Sequence, residues 1–132
     1  MTSGKKRGII IPNGVSLQKH ENDTVIFLTE LGHDIELIRK SNIKDIHTPD
    51  FWIDGKLKWE AKSPTGSGKY IFQNTIQQAV LQSENIVIDI RRMKLPQDKC
   101  IREFVKEFTL SKGAKRLKII AKKRKSTLDY EK

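Results

Sequence analysis

The stretch TPDFWIDGKLKWEAKSP, residues 48–64, decides how this chain is read. Asp54-Gly55 is a turn signal between two runs rich in aromatic and β-branched residues, so a β-hairpin is expected, with strands at Asp50 to Ile53 and Leu57 to Lys62. Successive strand residues point to opposite faces, and the turn length therefore sets which side chains share a face. A two-residue loop would put Phe51 opposite Lys58 and destroy the alternation. A three-residue loop, with Gly55 near the left-handed conformation, gathers Phe51, Ile53, Leu57, Trp59 and Ala61 on one face. Asp50, Lys56, Lys58, Glu60 and Lys62 then share the other, with Asp50 opposite or diagonal to Glu60. Two ionised carboxylates about 5 Å apart repel by roughly 3 kcal/mol at an effective dielectric near 20, so something must offset them. Neighbouring lysines on an ordinary solvated face would do so; a divalent cation would use the pair directly, since Mg²⁺ takes a couple of carboxylate oxygens plus water and phosphate.

Outward from the hairpin, the periodicities give an order α-β-β-β-α-β-α-β. A helix is expected from about Leu17 to Leu31, with Ser16 as N-cap and Gly32 as its stop, and a strand from Ile35 to Arg39. Glu21, Val25 and Leu28 fall on one stripe of that helix, so a carboxylate occupies one end of its core-facing side, where it equally suits the helix dipole. PTGSGK (64–69) reads as a loop, Phe72 to Ser83 as a second helix, and NIVIDIR (85–91) as a strand buried in mid-sheet. A third helix follows Pro96 and stops near Gly113, and RLKIIAK is a last strand. Residues 1–15 are expected to be a flexible segment apart from a short strand at Ile9 to Ile11, residues 16–123 a single domain, and 124–132 a basic tail. Meander plus crossover helices imply an α/β fold: a mixed sheet flanked by helices.

Composition narrows the partners. Lys and Arg number 26 against 16 Asp and Glu, a net charge of +10, which favours a polyanion. Eight basic residues and no acidic one lie between Lys112 and Lys125, either a solvated tail or an electrostatic footprint for nucleic acid. A lone cysteine, Cys100, excludes an intrachain disulfide and a multi-thiolate zinc site; its place beside an apolar helical stripe predicts buried packing. No apolar run approaches the roughly 20 residues of a membrane span, and the opening MTSGKKRGIII is too short for a signal peptide, so no membrane insertion is expected. His20, His33 and His47 do not repeat at metal-ligand spacing. Trp52, on the charged side of the hairpin, either stacks on a base or is partly buried by the first helix.

Pro49-Asp50, a ten-residue step and Glu60-Ala61-Lys62, with the helical Glu21 before them and an αβββαβ order, resemble the PD-(D/E)xK nuclease signature. The longer run TPDFWIDGKLKWEAKSPTGSGKYIFQNTIQQA, followed by NIVIDIRR, is similar to the C-terminal tRNase domain of contact-dependent growth-inhibition toxins of the CdiA type, over about residues 17 to 122. The resemblance implies a PD-(D/E)xK-like core plus a C-terminal helix and strand. It implies a metal-dependent endoribonuclease acting on tRNA as a toxin in a cytoplasm, with an immunity protein as partner. A DNA endonuclease of the same fold and an inactive RNA-binding module are the alternatives. Asp50, Glu60 and Glu21 would hold a divalent metal, Mg²⁺ first, with Mn²⁺ or Zn²⁺ as alternatives, and Lys62 would position water and offset phosphate charge. Ser63, Thr65 and Lys69, with Gln73, Gln77 and Gln78 on the second helix and Arg91 and Arg92 at a strand end, are candidate nucleic-acid contacts.

Overall fold

A computed structural model describes residues 8–44 and 46–132. The hairpin follows the three-residue-loop reading. Strands β3 (Phe51–Ile53) and β4 (Leu57–Lys62) pair Phe51 with Trp59, Trp52 with Lys58 and Ile53 with Leu57. Asp54 and Gly55 both adopt positive φ, 54° and 66°. Gly55 does this without a Cβ penalty; Asp54 is held by its carboxylate, which accepts from the Asp34 amide at 2.8 Å and lies 2.8 Å from His33 Nδ1.

Around it a seven-stranded sheet runs in sequence order: β1 (Ile9–Ile10), β2 (Ile35–Leu37), β3, β4, β5 (Asn85–Asp89), β6 (Arg116–Ile120) and β7 (Leu128–Glu131). Strand β4 is the hinge of the topology. Its first half is antiparallel to β3, whereas Glu60, Ala61 and Lys62 pair in parallel with Ile86, Val87 and Ile88 of β5. Parallel neighbours need crossovers, and helices α2 (Ile71–Val80) and α3 (Gln97–Leu110) supply them between β4 and β5 and between β5 and β6. Both cover one face, Phe72 meeting Phe104 edge-on at 4.9 Å over Ile86, Ile88, Leu117 and Ile119. Helix α1 (Lys19–Glu30) covers the other, where Val25 and Leu28 pack with Phe51, Trp59, Val87 and Ile120. Strand β5 is buried at every position because both faces are roofed, which is why NIVID carries no alternation.

Several boundaries differ from expectation, three of them with consequences for the packing. Helix α1 begins after Gln18, not Ser16, because Glu21 Oε1 reaches back 2.9 Å to the Gln18 amide and satisfies it there. The C-terminal residues are not merely a basic tail: β7 closes the sheet against β6, with Leu128 and Tyr130 packed on the core while Glu131 and Asp129 face Arg116 and Lys118. Val15, within the segment expected to be flexible, packs against the α1-side core, while the part of that expectation covering residues 1–7 lies outside the described residues. Cys100 is fully buried, and burial pushes its thiol pKa up. Among the described residues no helix is long and apolar enough to cross a membrane.

Candidate active site

The change of partner along β4 opens a fork. Strand β3 leaves β4 at the very residue where β5 takes over, and Asp50 stands at that point, its amide bonded to Trp59 O and its carbonyl accepting from the Ile38 amide. The two strands therefore fix the Asp50 backbone from both sides. With Phe51 opposite Trp59, Asp50 falls opposite Glu60 on the same face, as the hairpin register requires. A cleft of about 600 Å³ opens there, walled by Glu21, Thr24 and His20 of α1, by Arg39 and Lys40 after β2, and by Asp50, Glu60, Lys62 and Ser63.

The carboxylates are not equivalent. Asp50 Oδ2 accepts from the Ala61 amide at 2.8 Å and Oδ1 from Lys40 Nζ at 2.7 Å. Glu60 is 5% exposed; Oε2 lies 3.4 Å from Lys62 Nζ, while Oε1 is buried with no hydrogen-bond partner among the described residues. Burial first, and the adjacent Asp50 charge second, push the Glu60 pKa up to about 7 against the opposing fields of Lys40 and Lys62. Glu60 therefore gains and loses its proton close to neutrality.

Of the expected metal set, Asp50 and Glu60 come together and Glu21 does not complete it. Glu21 lines the cleft, but its carboxylate caps α1, and among the described residues no three His, Cys, Asp or Glu side chains form a group able to hold a metal ion. The candidate nucleic-acid contacts also divide. Ser63 lies in the cleft wall, its Oγ 3.3 Å from Thr24 Oγ1 and its carbonyl accepting from Arg92 Nη1 at 3.2 Å. Gln78, with Asn74 one turn before it, lines a groove of about 300 Å³ that reaches Lys62 and Ser63; Gln73 and Gln77 are exposed elsewhere on α2. Thr65 and Lys69 are exposed on the loop, the Lys69 amine 5.5 Å from the Tyr70 ring. Arg91 is turned inward instead: its guanidinium grips buried Asp89 through two hydrogen bonds of 2.9 and 2.8 Å, and this pairing first of all raises its pKa. Trp52 is covered by cross-strand Lys58, 5.0 Å from its ring, and not by α1.

Sequence reasoning missed Lys40, Thr24, Asp89 and the cleft position of His20. Lys40 became readable only once the β2–β3 register was known. It lies three residues beyond Leu37 and Thr48 three before Phe51, so the Leu37–Phe51 pairing carried onward sets them opposite one another, and Lys40 Nζ indeed meets Thr48 O at 2.8 Å. Thr24 and Asp89 gave no signal, since their 2.8 Å hydrogen bond joins α1 to β5 across 65 residues.

Comparison with known proteins agrees with this architecture. A solved structure described as a CdiA-CT/CdiI toxin and immunity complex from Burkholderia pseudomallei superposes with a TM-score of 0.63 at 14% identity, over 95% of this chain and 99% of that one, a likeness of fold. No curated protein matches the sequence. The family model for the contact-dependent growth inhibition CdiA C-terminal domain matches residues 47–126, from the hairpin through β6 and more than half of the chain; the chain therefore belongs to that family.

Proposed function

We infer that this domain is a toxin of the PD-(D/E)xK nuclease type, a divalent-metal-dependent endoribonuclease whose substrate is tRNA in the cytoplasm of a target cell, held in check by an immunity protein. Family membership supports the toxin reading, and the solved relative of like fold was captured with its immunity protein. One observation carries the nuclease reading. The Asp50–Glu60 pair, with the Glu60 Oε1 atom buried and unpartnered among the described residues, stands beside Lys62 in an open cleft of a +10 protein. A buried acceptor without a donor costs about 1–3 kcal/mol, which a fold retains for a purpose.

The residues fit a hard divalent cation. Two carboxylates are what Mg²⁺ or Mn²⁺ takes from a protein, with waters and phosphate completing the shell, whereas Zn²⁺ favours the histidine and thiolate ligands that this pair lacks. Asp50 and Glu60 would hold the ion, and Glu21, on the cleft wall, would join through water. When bound, the ion lowers the pKa of water and stabilises charge on the phosphoryl oxygens. The Ala61 amide and the β2 and β4 backbone bonds keep Asp50 oriented. Lys62, ion-paired with Glu60, positions the attacking water and supports the charge of the pentavalent phosphate. Ser63 and Gln78 would line the approach of the RNA backbone to Lys62, with Arg92 tied to that edge through the Ser63 carbonyl.

Incubating the protein with total tRNA and, separately, duplex DNA in Mg²⁺ tests this. The native chain should cut tRNA, and Glu60→Gln and Lys62→Ala should each lose at least about 100-fold in rate, the scale on which one electrostatic catalytic group is valued. Cleavage of DNA alone would reject the RNA assignment, and full activity in both variants would reject the site.

A further inference from the structure

The Lys40 ammonium occupies the place on Asp50 that a cation would seek. Its Nζ lies 2.7 Å from Asp50 Oδ1, shorter than the Lys62–Glu60 contact at 3.4 Å, and the Thr48 carbonyl steadies it at 2.8 Å. Among the described residues that line the cleft, the acids Glu21, Asp50 and Glu60 are already matched in number by the bases Arg39, Lys40 and Lys62. A divalent cation added to such a site meets an ammonium already bonded to one of its two carboxylates, and like charges at this range repel. The Lys40 side chain is 55% exposed on a four-carbon stem, so it can withdraw at little steric cost, whereas Asp50 cannot, because strands on both sides hold its backbone.

We propose that Lys40 is a built-in counter-ion that competes with the divalent cation for Asp50 and, once displaced, engages the substrate phosphate. This rests on the nuclease reading. In the metal-free protein Lys40 offsets the Asp50 carboxylate at 2.7 Å, the tighter of the two lysine contacts on the pair. With a cation on the pair, the ammonium loses its carboxylate partner inside a cleft whose balance has shifted by two positive charges. A phosphodiester brings negative charge back, and Lys40 is in the wall to receive it. Metal loading and substrate binding are thereby coupled through one side chain.

The test uses Mn²⁺ alone, its free fraction counted by electron paramagnetic resonance while it is titrated into the native chain and Lys40→Met, Lys40→Gln, Lys40→Arg and Glu60→Gln. Removing the charge in Lys40→Met and Lys40→Gln should tighten Mn²⁺ binding about three- to tenfold, as suits a half-exposed ion pair, with Lys40→Arg near native. At saturating Mn²⁺ the same two variants should lose about tenfold or more in kcat/KM on RNA, and Lys40→Arg should recover part of it. Tighter metal binding with weaker catalysis is a pair of opposite changes that a merely structural lysine would not produce. Unchanged or weaker Mn²⁺ binding in both neutral variants overturns the proposal. Equal Mn²⁺ binding by the native chain and Glu60→Gln would instead overturn the metal site itself, and the proposal with it.

Discussion

Replacing Glu60 by glutamine should make the protein more stable at alkaline pH, and the amount follows from the site. The folded-state pKa of Glu60 is about 7 against an ordinary 4.5, chiefly through burial and then through Asp50. Because the folded value is raised, the folded state holds the proton more tightly than the unfolded chain. The carboxyl therefore imposes no penalty below pH 4.5, an increasing one between 4.5 and 7, and a constant one above. At 1.36 kcal/mol per unit of pKa the plateau is roughly 3 kcal/mol. A glutamine keeps the shape of the protonated acid and can donate to Asp50, so it should escape the penalty. Urea unfolding of the native chain and Glu60→Gln in metal-free buffer, at pH steps from 4.5 to 8.5, isolates the difference from every other titrating group. The two should be equally stable near pH 4.5, with the variant ahead by roughly 3 kcal/mol above pH 8. A difference that stays flat with pH, or favours the native chain at high pH, would refute the claim that Glu60 is a buried, poorly compensated acid.

Asp89→Ala should cost about 2–4 kcal/mol in chemical denaturation, because it strips Arg91 of its carboxylate and Thr24 of the shorter of its two acceptor contacts at a residue 2% exposed; a loss under about 1 kcal/mol would mean that solvent replaces these bonds. Ending the chain at Thr127 removes β7, uncovering Leu117 and Ile119 and deleting the packed Leu128 and Tyr130; a drop of about 2–3 kcal/mol in unfolding free energy is expected, and unchanged stability would mean that these residues add nothing to the sheet.

The hairpin was legible because its information is local. An alternation of period two plus one turn signal fixes a register, and the register alone puts Asp50 and Glu60 on one face. The helices were legible for the same reason, their apolar stripes being visible within a few turns. Strand β7 was not: LDYE is short and half charged, follows a basic run, and makes sense only against β6, whose Arg116 and Lys118 meet its two acids. Glu21 could be placed on the cleft side of α1, but whether its carboxylate served the helix end or the centre depended on where the helix began.

By itself, then, the sequence determined the elements other than β7, the apolar and charged faces of the hairpin, the paired acids and the basic charge, since propensity, period and turn chemistry act over a few residues. Tertiary structure decided what each charge is for. It set Lys40 upon Asp50, turned Arg91 inward to Asp89, and left one oxygen of Glu60 without a partner among the described residues. Those outcomes depend on desolvation and on contacts between distant segments, and both exist only once the sheet has closed around them.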